Sequence, residues 1–136
     1  MNRDRSKALA GFRFALRQFI AASEAISRTA RVTQQQYQVM LAIGTWSCGA
    51  MTMKDLAGDL LLTHHAAVQM VDRLARSGHV ARAPSAKDRR SVSLALTPDG
   101  EALLDRLAAL HLEAVLRQEP ALTTALQRLK LMGPQT

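Results

Sequence analysis

The sequence predicts a mainly α fold with a small β-hairpin, and three observations carry that prediction. Apolar residues recur at three- and four-residue steps through most of the 136-residue chain, the period of a helix with one buried stripe. Residues 91–96 break that rhythm and alternate, with Val92, Leu94 and Leu96 on one side and Ser91, Ser93 and Ala95 on the other, as a half-buried strand does. Between Thr63 and Gly100 the text THHAAVQMVDRLARSGHVARAPSAKDRRSVSLALTPDG reads as one helix, a glycine stop and a hairpin with a basic tip.

Residues 5–30 read as the first helix. Leu9, Phe12, Leu16, Phe19 or Ile20, and Ser23 share one stripe, while Arg13, Arg17, Glu24 and Arg28 fall largely elsewhere. A basic amphipathic helix can lie on a membrane surface. Here Phe12, Phe14, Leu16, Phe19 and Ile20 spread around much of the circumference, which suits burial between partners better. Thr33-Gln34-Gln35-Gln36 has the spacing of a capping box, and the helix it opens continues through Tyr37, Met40, Leu41 and Ile43 to Gly44. Residues 44–50 read as a loop holding Trp46 and Cys48. Thr52 opens a short helix with Asp55 at its third position and Leu56, Leu60 and Leu61 packing inward.

Thr63 is the N-cap of the next helix. Within that helix Val68, Val71, Leu74 and Ala75 share one face. Ala66, Gln69, Arg73 and Arg76 share the opposite face, with His65 at its edge. Gly78 stands where a left-handed C-cap is wanted. Residues 80–83 are short and extended, and Pro84 to Asp88 supply turn chemistry. Thr97 caps a further helix in which Pro98 suits the first position and Asp99 and Glu101 suit the positive end of the dipole. Leu103, Leu104, Leu107, Leu110 or His111, Ala114 and Val115 continue it, and Glu119-Pro120 is expected to break it. A final helix carries Leu122, Leu126, Leu129 and Met132 before Gly133-Pro134.

A helix able to enter a groove, followed at once by a charged hairpin, is the layout of a winged helix-turn-helix. Residues 33–100 form that lobe. The helical regions 5–30 and 98–132 hold more apolar surface than a unit of about 60 residues needs to cover. Their simplest outlet is a second copy, so they are expected to form the dimerisation region of a two-fold homodimer.

Charge supports a polyanionic partner. The chain carries a net charge of +7, and it is unevenly spread. Residues 1–32 hold seven basic and two acidic groups, and residues 63–96 hold six and two, whereas the other two stretches are each slightly acidic. A focused positive field suits double-stranded DNA, although charge alone says nothing about sequence recognition. The single cysteine, Cys48, allows no intrachain disulfide and fits a reducing cytoplasm. Arg13, Arg17 and Gln18 interrupt any signal-peptide core, and no run is long enough to span a membrane. A soluble, cytoplasmic protein without membrane contact is expected. No catalytic dyad, phosphate loop or metal-ligand cluster supports an enzyme, and no cofactor is expected.

At these residues the chain resembles the MarR family of bacterial transcription regulators. The pattern T-x-x-Q-Y-x-x-L stands as Thr33, Gln36, Tyr37 and Met40-Leu41, and the Leu-Ala of the short helix as Leu56-Ala57. The recognition-helix signature V-x-x-V-D-R-L is Val68, Val71, Asp72, Arg73 and Leu74, followed by Gly78. The wing signature D-x-R and the closing L-T-P-x-G are Asp88, Arg90, Leu96, Thr97, Pro98 and Gly100. Each is weak alone, and together, in order, they are strong. The resemblance implies a cytoplasmic homodimer on palindromic DNA, commonly a repressor, released by a small-molecule effector or by oxidation.

The groove-facing candidates are His65, Ala66, Gln69 and Arg73, with His64 at the helix start. Gln69 can bond adenine in two places, Ala66 can touch a thymine methyl, and Arg73 can bind guanine or phosphate. The plainer alternatives are a solvated Gln69 and an Arg73 paired with Asp72 or a neighbour. His64 and His65 project about 100° apart on a helix, so one metal ion cannot easily use both, and contact with DNA is the better reading. Lys87, Arg89 and Arg90 are the wing candidates for a narrow minor groove. The family pattern suggests that Asp88 orients Arg90 through a charge-assisted hydrogen bond. No Lys, Arg or His stands beside Cys48 in sequence to stabilise a thiolate, so a plain thiol is preferred to a redox sensor. Phe14, Tyr37, Met40 and Trp46 are candidates for lining an effector pocket. The competing function classes are a metal- or redox-responsive regulator, and a winged-helix module that contacts only proteins.

Overall fold

The structure is a computed structural model that describes residues 1–86 and 90–134. Its elements run α1 (Arg3–Thr29), α2 (Gln34–Thr45), β1 (Met51–Thr52), α3 (Met53–Asp59), α4 (His64–Arg76), β2 (Val80–Pro84), β3 (Val92–Leu96) and α5 (Pro98–Met132). They divide into two compact units. One is Ser27–Ala108, and the other joins Met1–Ile26 with Ala109–Thr136.

In the Ser27–Ala108 unit, four threonines start four helices. Each hydroxyl accepts an orphan amide of the first turn. Thr33 takes Gln36 N at 3.0 Å, Thr52 takes Asp55 N at 3.1 Å, Thr63 takes Ala66 N at 3.1 Å and Thr97 takes Gly100 N at 3.0 Å. Thr33 and Thr52 form complete capping boxes, because the Gln36 and Asp55 side chains accept the cap backbone amides in return. Such a cap is worth about 1 kcal/mol.

Three helices end alike. Val32 N donates to Ser27 O, Leu62 N to Ala57 O and His79 N to Leu74 O, each spanning five residues. This closure needs one left-handed residue, and the three are Arg31 (φ 58°), Leu61 (φ 54°) and Gly78 (φ 82°). Only Gly78 announces itself in the sequence. Leu61 is the first correction. It does not pack inward but stands 93% exposed, because the C-terminal turn swings it away from the face of Leu56.

Val39, Met40, Leu56, Ala67, Val71 and Leu107 are fully buried and form the core of this unit. On α4 the buried set is Ala67, Val71 and Leu74, with Val68 and Ala75 half-buried at its margins. The inner face is therefore turned slightly from the one expected. The small side chain of Ala67 is what lets α4 pack closely there.

The expected hairpin is part of a three-stranded antiparallel sheet in the order β1-β3-β2. Val80 faces Leu96 and Pro84 faces Val92 across the hairpin, while Met51 faces Leu94 on the other edge. The β1 strand is only two residues long, too short to leave a periodic signal. Pro84 sits on edge strand β2, where its missing amide interrupts no second ladder.

The second major correction is α5. Glu119-Pro120 does not divide it, and the helix runs through Pro120 to Met132. The ring leaves the Leu116 carbonyl without its helical donor. Leu116 is 63% exposed, so water can serve that carbonyl, and the flanking Ala, Leu, Arg and Gln residues favour helix on both sides.

The unit made of Met1–Ile26 and Ala109–Thr136 buries mostly small groups: Ala8, Ala15, Ser23, Ala114 and Ala125, with His111. Its large apolar side chains largely face outward. Leu9, expected on the buried stripe, is 50% exposed, and Ile20 is 45% exposed, because the inward stripe is set by Ala8, Ala15 and Ser23 instead.

Candidate nucleic-acid interface

The site follows from how α4 is anchored. Thr63 fixes its first turn, and Ala67, Val71 and Leu74 hold one side in the core. Residues four and three apart then share the opposite side. His65, Gln69, Arg73 and Arg76 are all exposed and lie on one continuous stripe, with Ala66 half-buried at its flank. The stripe offers an amide with both donor and acceptor, followed by two guanidinium forks. Arg73 and Arg76 also lie in the last helical turn, where cations meet the negative end of the dipole.

The histidine pair is split. His64 lines a cleft of about 250 Å³ that it shares with Lys54, Arg82, Arg90, Val68 and Val92, whereas His65 belongs to the outer stripe. Among the described residues no group of three or more His, Cys, Asp or Glu side chains is placed to hold a metal ion. Arg90 is exposed at the start of the returning strand. Lys87, Asp88 and Arg89 lie outside the described residues, and so does the expected contact of Asp88 with Arg90.

One pairing was not legible in the sequence. Asp72 bonds Arg82 on β2, not the neighbouring Arg73, and so ties the helix to the hairpin. The two side chains are 35% and 45% exposed, so the pair adds little stability and acts mainly on position. Arg82 lies ten residues from Asp72 in the chain, and only the packing of β2 beside α4 brings them together. Lys54, at the start of α3, also joins the basic cleft only through the fold.

The junction behind α4 is tightly drawn. Thr97 N donates to His79 O at 3.0 Å, and Thr97 Oγ1 donates to Gly78 O at 2.6 Å. Gly100 is buried against this turn. These bonds join the end of the recognition segment to the first turn of α5.

Of the residues expected near an effector, Tyr37 and Met40 are buried in the core of the Ser27–Ala108 unit. Burial pushes the Tyr37 phenol above its ordinary pKa, so it stays neutral. Trp46 is half-buried and lines a cleft of about 510 Å³. Phe14 belongs to the other unit and is 56% exposed. Cys48 is exposed. Among the described residues no helix is long and apolar enough to cross a membrane.

Comparison with known proteins places this geometry. Residues 32–91 match the model of the MarR family. The HTH-type transcriptional regulator TtmR of Methylorubrum extorquens is 33% identical over 79 residues, which is 58% of this chain and 40% of that protein. The matched stretches span between 40% and 51% of the length of the first curated relatives. Among solved structures, AbsC, a MarR family transcriptional regulator from Streptomyces coelicolor, shares the fold at a TM-score of 0.80 and 19% identity, covering 87% of this chain and 80% of its own. A mutant MarR from E. coli, complexed with operator DNA, aligns at a TM-score of 0.67 and 25% identity over 90% of both chains. TtmR and AbsC are transcriptional regulators by name.

Proposed function

We propose that this chain is a MarR-family protein, a sequence-specific, double-stranded-DNA-binding transcriptional regulator that acts as a homodimeric repressor in the cytoplasm. The observation that carries the reading is the exposed stripe His65, Gln69, Arg73 and Arg76 on a helix whose other side is locked into the core. A helix held in this way can present its outer face to a major groove, and Arg90 on the hairpin can reach the flanking minor groove. The likeness to a relative solved on operator DNA supports the same placement.

Dimerisation is supported by the apolar surface of the Met1–Ile26 and Ala109–Thr136 unit. Phe14, Leu112, Leu116 and Leu131 are each more than half exposed there. A second copy would cover such a surface and place two recognition helices on successive half-sites. A small-molecule effector would act by changing the fraction of dimers whose helix spacing fits DNA.

Selection of duplexes from a random pool tests the reading. The expected result is an enriched palindrome whose affinity falls steeply as salt rises. No enrichment at modest salt would overturn it and leave a winged-helix module that contacts proteins. Light scattering tests the dimer, and a stable monomer at micromolar concentration would remove that part.

A further inference from the structure

The unit made of Met1–Ile26 and Ala109–Thr136 leaves two apolar patches in water, and the charge within each is of one sign. On α1, Leu9, Phe14 and Ile20 are 50%, 56% and 45% exposed. At about 100° per residue, Arg13 and Arg17 fall between them, with Leu9 and Ile20 on one side and Phe14 on the other. Both arginines are exposed. A solvated helix face is ordinarily polar throughout, so a cationic ridge between large apolar side chains is unlike one.

On α5 the arrangement is inverted. Leu112 and Leu116 form an apolar ridge, 60% and 63% exposed, with Glu119 on one flank and Glu113 on the other. The Thr123 hydroxyl donates to Glu119 at 2.7 Å and holds that carboxylate beside the ridge. Among the described residues none of Arg13, Arg17, Glu113 and Glu119 takes part in an ion pair.

Apolar area drives association, and charge selects which faces meet. Two copies placed α1 against α1 would bring four arginines together, and α5 against α5 would bring four glutamates together. Of these pairings only the crossed one, α1 against α5, neutralises both patches. A two-fold axis makes that contact twice, since what each copy offers the other returns. Arginine stems cover apolar surface while their guanidinium groups stay at its polar edge, where each fork suits a carboxylate. The axial steps also agree, at about 6 Å between Arg13 and Arg17 and about 9 Å between Glu113 and Glu119.

We infer that in the homodimer α1 of each copy lies along α5 of the other. The Arg13 and Arg17 stems cover Leu112 and Leu116 of the partner subunit, and their guanidinium groups pair with Glu113 and Glu119 of the partner subunit. This pairing rests on the homodimer reading and adds to it which faces meet and what selects them. It does not depend on the DNA reading.

Charge reversal tests it on the full chain. Arg13→Glu/Arg17→Glu and Glu113→Lys/Glu119→Lys each set like charges across both contacts. By sedimentation equilibrium at low salt, each double variant should dimerise about ten-fold or more weakly than the parent. An equimolar mixture of the two should regain the parent affinity, because the reversed faces then meet each other and the native faces do the same. If a double variant fails to fold, the fourfold variant decides. Carrying both reversals, it should dimerise like the parent but not exchange subunits with it. Undiminished dimerisation of folded double variants, a mixture that stays monomeric, or free exchange between the fourfold variant and the parent would each overturn the pairing. With a dimeric parent those results leave the homodimer reading standing, whereas a parent that is a stable monomer removes both.

Discussion

Replacing Gly100 with alanine tests the junction that joins the recognition segment to α5. A Cβ at this position would lie 2.0 Å from the His79 carbonyl oxygen and 2.9 Å from its carbon. The obstacle is backbone and not a flexible side-chain tip, so the two segments must part by about 1 Å to restore van der Waals contact. Two hydrogen bonds depend on their closeness: Thr97 N to His79 O and Thr97 Oγ1 to Gly78 O. Each is worth about 1 kcal/mol net, so the expected loss is about 2 kcal/mol. That is about thirty-fold in the folding equilibrium. Urea unfolding followed by circular dichroism, at one fixed chain concentration, measures it. Gly58→Ala is the control, since a Cβ there meets nothing within 4 Å, and it should gain about 0.5–1 kcal/mol from better helix propensity. A Gly100→Ala chain within about 0.5 kcal/mol of its parent, the scatter of an ordinary surface change, would refute the close-approach reasoning.

Leu61→Gly should stabilise the protein by about 0.5–1 kcal/mol, because it relieves a left-handed leucine and removes almost no buried surface; destabilisation in the same urea assay would show that Leu61 has a packing role. Asp55 should shape the acid limb. Its hydrogen bonds, first from the Thr52 backbone amide and then with the Thr52 side chain, hold its pKa below the ordinary value. The stabilisation is therefore complete above the unfolded value of about 3.9 and is lost as pH falls through the lower folded value. In Asp55→Asn the difference from the parent should shrink below about pH 4, and a constant difference across pH would count against the capping account. Arg90→Ala should weaken binding to the selected duplex by roughly ten-fold or more with the fold intact, and unchanged affinity by fluorescence anisotropy would remove Arg90 from the interface.

Much of the recognition segment was legible because its signals are local. Thr33, Thr52, Thr63 and Thr97 announce helix starts through contacts with residues three positions on, and these need no distant partner. The spacing of Val71 and Leu74 set the outward stripe of Gln69 and Arg73 in the same way. Pro120 misled because local propensity resists a proline, while a long helix of good formers can absorb one missing hydrogen bond at an exposed turn. Leu61 and Arg31 were hidden for the opposite reason, since the left-handed caps they make are ordinarily written with glycine.

The sequence by itself determined where four helices begin, that Val71 and Leu74 of α4 face inward while Gln69 and Arg73 face out, and that positive charge concentrates around the hairpin. Periodicity and capping are properties of neighbouring residues, so one strand of text contains them. Only the tertiary structure decided that Asp72 holds Arg82, that Met51–Thr52 completes the sheet, and that Trp46, Glu101 and Asp105 line one cleft. Those groups are far apart in the chain, and packing alone sets their distances.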